Sequence, residues 1–155
     1  IRAVTVAELP SLYGEGLSYS LFEIEPCGIN LPHEHPRATE LLYVIDADFL
    51  RTAHVEENGG ARTIVNDLQT GSVTFFPQGL IHYQQNLGCK PATYISALNS
   101  EDPGVVTITT RFFELPPEAA ADSLGVGDAD VERLITGLPA GPAAGRAECL
   151  ARCDL

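Results

Sequence analysis

The sequence has no methionine, few basic residues and no apolar run that approaches the roughly 20 residues needed to cross a bilayer. Without methionine, Ile1 is not an initiator position, and we expect a processed or trimmed chain. Only 9 Lys and Arg stand against 21 Asp and Glu, and the net charge of -12 repels phosphate backbones and anionic lipid head groups. We therefore expect neither a nucleic-acid partner nor a membrane partner.

The chain also lacks the paired Cys-x-x-Cys spacing of a structural zinc site and has no Asn-x-Ser/Thr sequon. Its four cysteines are Cys27, Cys89, Cys149 and Cys153. An even number without zinc spacing favours disulfides formed in an oxidising compartment. This predicts a secreted protein, extracellular or in a cell wall, although N-glycosylation gives that prediction no support.

What the chain does contain is a regular series of short β-prone segments. Its 155 residues suit one domain, and Pro and Gly interrupt stretches rich in branched and aromatic residues about every ten residues. Eight strands are predicted, at residues 17–25, 39–45, 49–55, 62–66, 72–76, 81–85, 93–98 and 105–113. The fold class is therefore all-β, a sandwich or a barrel, with a turn at Asn58-Gly59.

The last third of the sequence changes character and predicts two helices. Residues 118–124 are rich in alanine and precede Gly125, which is typical of a helix end. A second helix is predicted with Asp128 as its N-cap, ending at Gly137 and Pro139, and its apolar stripe should pack either on this chain's barrel or on another subunit. The expected organisation is an N-terminal arm (1–16) within a β-barrel region (1–113), helices (114–138) and a tail (139–155).

Three of the four histidines lie in two short segments that are suited to metal binding. In an extended strand, His33 and His35 point to the same side, and Glu40 can return a carboxylate after a bend near Pro36. If the strand of His82 runs antiparallel beside the first, its ring completes three imidazoles and one carboxylate. Either segment alone is ordinary in a surface or a loop, but together they predict a divalent-metal site with two open positions.

The two segments resemble the two sequence motifs of cupins. The first motif matches Gly28, His33, His35 and Glu40, and the second matches Gly71, Pro77, Gly79, His82 and Asn86. From about residue 17 to 138 the chain is similar to germins and germin-like proteins, including their spherulin relatives. His54 lies outside both motifs and is predicted to be a surface or packing residue.

The resemblance implies a single cupin barrel, that is, a double-stranded β-helix or jelly-roll, followed by a short helical segment. It also implies Mn²⁺ held by His33, His35, Glu40 and His82. A mixed nitrogen and oxygen shell suits Mn or Fe, whereas Cu, Ni and Zn bind such ligands more tightly. The residue types therefore leave the metal open.

The resemblance further implies oxidoreductase chemistry on a small oxygen-rich anion. Germin oxalate oxidases convert oxalate and dioxygen to carbon dioxide and hydrogen peroxide, and many germin-like proteins are described as superoxide dismutases. Asn30 matches one asparagine used near the substrate, while Ser20 stands at the position of the other, so these two residues are the catalytic candidates. The alternatives are a non-catalytic metal-binding storage or wall-associated cupin and another cupin enzyme, such as a decarboxylase or dioxygenase.

Two expectations concern assembly and covalent links. The chain begins inside a typical germin, so the family's hexamer is not carried over and a homo-oligomer is left open. If His82 lies opposite the His33 and His35 pair, the same antiparallel register sets Cys27 opposite Cys89 and predicts a disulfide between them. Cys149 and Cys153 would then bond each other, bond another chain or remain free.

Overall fold

Two five-stranded antiparallel sheets face each other in the computed structural model, which describes residues 1–155. One sheet has the order β1-β2-β9-β4-β7 and the other the order β10-β3-β8-β5-β6. The strands are β1 Arg2–Val4, β2 Ser18–Ile24, β3 Ile29–Glu34, β4 Glu40–Asp46, β5 Leu50–Val55, β6 Thr63–Leu68, β7 Val73–Phe76, β8 His82–Asn86, β9 Ala92–Leu98 and β10 Val106–Thr107. This arrangement confirms the all-β jelly-roll barrel.

The barrel interior combines an apolar core with a polar layer. The apolar core consists of nine buried residues, Ile24, Leu42, Val44, Ala47, Leu50, Leu68, Phe76, Ala92 and Tyr94. The buried polar residues include His33, Glu40, His82, Gln84 and Ser96. Buried polar groups are costly unless they have partners, so this polar layer marks the part of the barrel where chemistry is expected.

Seven of the eight predicted strands are confirmed to within two residues, but the strand predicted over 105–113 is wrong. Only Val106–Thr107 pairs with β3, opposite Glu34 and His33. Beyond Thr107 the register runs inward along β3 to Pro32, which has no amide hydrogen to continue the ladder, and further along β3 Ile29 pairs with Ala143 of the tail. The chain therefore turns into helix α1, Ile108–Phe112. The series of eight strands omitted β1 and β3, although the metal-site argument placed His33 in an extended segment, which β3 confirms.

Both predicted helices are present, as α2 Pro117–Leu124 and α3 Asp128–Thr136. The N-cap prediction was wrong, because Gly127 occupies that position and Asp128 is the first helical residue. Val131 of α3 is buried among alanines of α2 and the aromatic rings at the end of α1, whereas Leu134 and Ile135 remain exposed. Within the apolar stripe of α3, only Val131 is buried, and it packs on the neighbouring helix. None of the helices has the length and apolar character required to span a bilayer.

The tail contains a fourth helix, α4 Ala147–Arg152, which two disulfides fasten to the barrel. The bonds join Cys27 to Cys149 and Cys89 to Cys153, so the predicted Cys27–Cys89 bond is wrong. The β3–β8 register shifts between Asn30 and His33, and continuing the Asn30–Gln84 pairing outward sets Cys27 opposite Leu87 rather than Cys89. The tail cysteines take both partners instead.

Asn86 closes one end of the barrel through its side chain. Its Nδ2 donates to the carbonyl oxygens of Ile24 (3.0 Å), Glu25 (3.1 Å) and Lys90 (2.7 Å), and its Oδ1 accepts from the amide of Gly88 at 2.9 Å. These bonds tie the turn before β3 to the turn after β8. They account for the motif asparagine as a structural residue.

We expect Asn86→Ala to lower the free energy of unfolding by about 2–4 kcal/mol, because buried carbonyls and an amide lose their only side-chain partner. Urea denaturation measures the loss. The matched control is Asn66→Ala, which removes one hydrogen bond, to Thr74, from a half-buried side chain and should cost less than about 1 kcal/mol. Equal losses in the two variants would contradict the structural role of Asn86.

Candidate metal centre

Four side chains from three strands and one loop converge inside the barrel. One ligand atom from each of His33, His35, Glu40 and His82 can be chosen so that all four lie within 4.8 Å of one another. Nε2 of His35 is 3.0 Å from Oε2 of Glu40, and Nε2 of His82 is 3.2 Å from the same oxygen. The structure thus brings together all four metal ligands predicted from the sequence.

Strand register positions this cluster. His33 on β3 lies directly opposite His82 on β8, as the antiparallel arrangement requires. Glu40 begins β4 and lies opposite Phe76 on β7 and Leu98 on β9. The cluster therefore spans both sheets, and its geometry depends on how the two halves of the barrel pack.

Backbone carbonyls fix the orientation of all three imidazole rings. Nδ1 of His33 lies 2.8 Å from the oxygen of Leu31, and Nδ1 of His82 lies 2.8 Å from the oxygen of Leu80. Nδ1 of His35 lies 2.6 Å from the oxygen of Gly104. A carbonyl only accepts, so each neutral ring donates through Nδ1–H and presents the lone pair of Nε2 to the centre.

This donor set fits a divalent cation. In neutral rings the Nε2 lone pairs of His35 and His82 would face a carboxylate oxygen at hydrogen-bond distance with no proton between them. A cation removes that repulsion, and neutral imidazole with carboxylate is a donor set of transition-metal sites. The residues therefore form a His-His-Glu-His metal-binding site, whose metal identity the side chains do not determine.

The pKa values describe what happens in the absence of a metal ion. Burial lowers the pKa of His33 to about 4, with a further contribution from His82. Burial also opposes protonation of His35, but its hydrogen bonds to Glu40 and Gly104 outweigh that effect and raise its pKa. Burial disfavours the charged form of Glu40, yet hydrogen bonds from His35, His82 and Ser96 hold its pKa below the usual value. Without a metal ion, the protonated form of His35 is therefore favoured beside the Glu40 carboxylate.

Metal binding should accordingly release a proton, mainly from His35, and metal affinity should increase with pH. The raised pKa of His35 keeps this competition active near neutral pH, whereas His33, with a pKa of about 4, does not take part there. Calorimetric titration of Mn²⁺ in two buffers with different ionisation enthalpies counts the released protons. We expect fewer protons at about pH 8 than at about pH 6.5, and a release that is absent at both would contradict this assignment.

Two residues that the sequence did not assign to the site contact its ligands, and a third contacts Asn30. Ser96 on β9 donates from Oγ to Oε1 of Glu40 at 2.5 Å. The ring of Phe76 stacks on His82, with centroids 4.3 Å apart and planes 10° from parallel. Oε1 of Gln84 accepts a hydrogen bond from the side-chain amide of Asn30. Alternation within β9 and β8 could have placed Ser96 and Gln84 inside the barrel, but no sequence pattern indicated what they contact.

Ser20 and Asn30, the two catalytic candidates, both line a cavity of about 520 Å³ that also reaches His33 and His35. Nδ2 of Asn30 donates to Oε1 of Gln84 at 2.8 Å, which also accepts from the hydroxyl of Tyr94 at 3.2 Å. Asn30 is thus held in place beside the metal ligands. Ser20, on β2, also lines this cavity.

His54, predicted as a surface or packing residue, lies outside the metal cluster and is buried. It pairs across the sheet with His82, and its ring meets Phe76 edge-on at 6.1 Å. Its Nδ1 has no hydrogen-bond partner. Burial lowers its pKa, and His82 contributes to the same shift, so His54 is a neutral packing residue.

Comparisons with known proteins agree with this fold and site. A cupin family model matches residues 1–132. Spherulin-1B of Physarum polycephalum is 41% identical over 154 residues, covering 99% of this chain and 61% of the relative. Germin-like protein 4-1 of Oryza sativa subsp. japonica is 43% identical over 127 residues, covering 80% of this chain and 50% of the relative. This chain therefore spans about half to three-fifths of the length of these curated relatives.

A solved structure described as recombinant oxalate oxidase in complex with glycolate superposes with a TM-score of 0.82 at 29% identity. The superposition covers 87% of this chain and 69% of that protein. The chain is also similar to a solved structure described as an oxalate decarboxylase formate complex. At 20% sequence identity, this similarity concerns the fold alone. Taken with the family match and the His-His-Glu-His site, these similarities establish that the chain belongs to the cupin family, among the spherulins and germin-like proteins.

Proposed function

We propose that this protein is a secreted, metal-dependent oxidoreductase that oxidises oxalate with dioxygen at the His33, His35, Glu40 and His82 centre. Carbon dioxide and hydrogen peroxide are the products. The observation that carries the proposal is the position of Asn30, an amide donor held beside the metal ligands in a cavity of about 520 Å³. The 0.82 superposition on a protein described as oxalate oxidase with bound glycolate supports it.

The charge of the centre favours an anionic substrate. Glu40 is the only carboxylate in the cluster, so a divalent ion there leaves a formal local charge of +1. The protein as a whole carries a net charge of -12, but the positive charge at the metal centre attracts a small dianion into the cavity. When bound, Mn²⁺ would supply the ability to exchange one electron, and the buried ligands keep bulk water away from it.

Asn30 and Ser20 are placed to orient the substrate. One hydrogen of the Asn30 amide is used on Gln84, which leaves the other hydrogen free to donate to an oxyanion. The Ser20 hydroxyl reaches less far than an asparagine but still donates. Around them, Phe22, Leu31 and Leu98 form apolar walls that strengthen each of these polar contacts by excluding water.

The direct test measures peroxide and carbon dioxide from oxalate, and loss of superoxide, in one Mn-loaded sample. Oxalate-dependent formation of both products supports the proposal. Superoxide loss alone would replace oxalate oxidation by superoxide dismutation at the same centre. Stoichiometric metal with neither activity would contradict the enzyme assignment and leave a metal-binding cupin without turnover.

We expect Asn30→Ala to lower kcat/KM for oxalate by about 100-fold, because the substrate loses an oriented donor in a site shielded from water. Metal content should remain unchanged, since Asn30 is not a ligand. Asn66→Ala, the same substitution on β6 outside the cavity, is the matched control and should retain activity. Full activity in Asn30→Ala would show that this residue does not orient the substrate.

The two disulfides support the proposed location of the protein outside the cell or in its wall. Disulfides persist in oxidising compartments and are rare in the cytosol. A dismutase or oxidase that produces peroxide is also best separated from the cytosol. Cell fractionation with non-reducing mass spectrometry of the native protein tests this location.

A further inference from the structure

The C-terminal tail forms one wall of the metal cavity. Residues 139–141 line it, and Gly141 packs so closely on Leu31 that an added Cβ would stand 3.2 Å from Cδ1 of Leu31. Two residues later the tail pairs with β3: the amide of Ala143 donates to the oxygen of Ile29 at 2.9 Å, and the amide of Ile29 donates back at 3.0 Å. The tail thus covers the strand that carries Asn30 and His33.

The two disulfides that fasten this tail differ in exposure. Cys27 is completely buried and Cys149 is 8% exposed, so a solvent thiol does not reach their bond readily. Gly145 adds to this cover, because it packs directly on the backbone of Cys27 with no room for a side chain. Cys89, by contrast, is exposed and Cys153 is half-buried. A reductant therefore meets the Cys89–Cys153 bond first.

The buried bond lies within reach of the exposed one. Sγ of Cys153 is 3.8 Å from Sγ of Cys27, so a Cys153 thiolate would lie in contact with one sulfur of the buried bond. Thiol–disulfide exchange requires this contact between the attacking sulfur and one sulfur of the bond. On the other side, Nη2 of Arg152 is 3.4 Å from Sγ of Cys149, where its charge stabilises a departing thiolate.

We propose that the four cysteines form a disulfide relay that controls how the tail is fastened over the metal cavity. A dithiol reductant first reduces the Cys89–Cys153 bond, supplying two electrons and two protons and becoming a disulfide itself. The Cys153 thiolate then attacks Sγ of Cys27, a Cys27–Cys153 bond forms, the Cys27–Cys149 bond breaks and the electron pair leaves on Cys149. A second dithiol reduces the new Cys27–Cys153 bond and frees the tail.

The relay provides a route by which an external reductant can act on a bond that it cannot reach directly. After exchange, the tail remains attached through Cys153, four residues further along the chain, and helix α4 must shift to follow. After the second reduction, nothing covalent holds residues 139–145 against β3. The cavity wall then opens, and the amides of Ile29 and Ala143 lose their mutual protection.

The sharpest test uses Cys89→Ser without any reductant. This variant keeps the buried bond and carries a single free thiol, Cys153, beside it. The variant is incubated at about pH 8, its free thiols are alkylated, and its disulfides are mapped under non-reducing conditions. At least about a tenth of the molecules should carry the Cys27–Cys153 bond, because exchange between similar thiols has an equilibrium constant near unity. Finding only Cys27–Cys149 after hours would overturn the relay.

Cys153→Ser is the matched control, with the same number of thiols but with Cys89 free instead. Its Cys27–Cys149 bond should stay intact without reductant and should also survive a dithiol concentration that reduces both bonds of the parent. Hydrogen exchange at the amides of Ile29 and Ala143 then measures whether the tail stays paired with β3. The exchange rate should increase in the parent protein after reduction, but not in Cys153→Ser at the same dithiol concentration. Equal reduction of the buried bond in both proteins would show direct attack by the dithiol and contradict the relay.

Discussion

Replacing His82 with alanine is expected to weaken Mn²⁺ binding by at least about 100-fold, or about 2.7 kcal/mol, because the centre loses one of its four side-chain ligands. The vacated position would be filled by exchangeable water, which does not hold the ion in the protein. Elemental analysis after dialysis, with calorimetric titration of the metal-free protein, measures the change. Circular dichroism confirms that the variant is folded.

His54→Ala is the matched control for this experiment. His54 is opposite His82 in the β5–β8 register, is buried and also touches Phe76, so its removal leaves a similar hole. It contributes no atom to the cluster, and metal content should stay at the parent level. Unchanged affinity in His82→Ala, or equal losses in the two variants, would contradict the assignment of His82 as a ligand.

The second large effect is expected on stability. Removing the buried disulfide with Cys27→Ala/Cys149→Ala should lower the free energy of unfolding of the metal-free protein by about 2–5 kcal/mol. The bond joins positions 122 residues apart, so its loss frees a long loop of the unfolded chain, and the fully buried sulfur of Cys27 leaves a cavity as well. Urea denaturation without reductant measures the difference.

Removing the other disulfide allows the stability losses of the two variants to be ranked. Cys89→Ala/Cys153→Ala opens a shorter separation of 64 residues and removes an exposed side chain, so its loss of stability should be smaller. A buried-bond variant that is less than about 1 kcal/mol weaker than the parent would contradict the covalent fastening of the tail. The reverse ranking would contradict the assignment of the buried bond as the stronger constraint.

The metal ligands were predictable because most of their arrangement follows from the short spacing between them along the chain. His33 and His35 share one face of an extended segment, and His82 needed only an antiparallel neighbour, which β8 provides. Strand positions were predictable for the same reason, since alternation and turn residues are local signals. Histidine and glutamate are also rare inside a barrel unless they have partners, so their clustering carried information that apolar residues do not.

Features that depend on register over long distances were not predictable. His82 lies opposite His33 itself, and the register shifts by one more residue between Asn30 and His33, so Leu87 rather than Cys89 lies opposite Cys27 and the predicted Cys27–Cys89 bond is wrong. Residues 108–113 have strand-like composition, but the next position on β3 after His33 is Pro32, which cannot continue the ladder, and residues 108–112 form a helix instead. In such cases the tertiary contacts of a segment outweigh its intrinsic strand propensity.

The three inward residues of β8 show where sequence reasoning stops. His82, Gln84 and Asn86 alternate with half-buried residues, so their common direction follows from the strand itself. Their partners are different: the Glu40 carboxylate, the Asn30 amide and the carbonyls of two turns. Only the folded barrel brings those groups together, since each lies on another strand or turn.

X-ray absorption spectroscopy of the Mn-loaded protein tests the central claim most directly. Three imidazoles and one carboxylate predict a first shell of nitrogen and oxygen only, with outer-shell scattering from about three imidazole rings. A first shell that contains sulfur would place the ion at the cysteines of the tail. A shell without imidazole scattering would show that His33, His35 and His82 do not hold it.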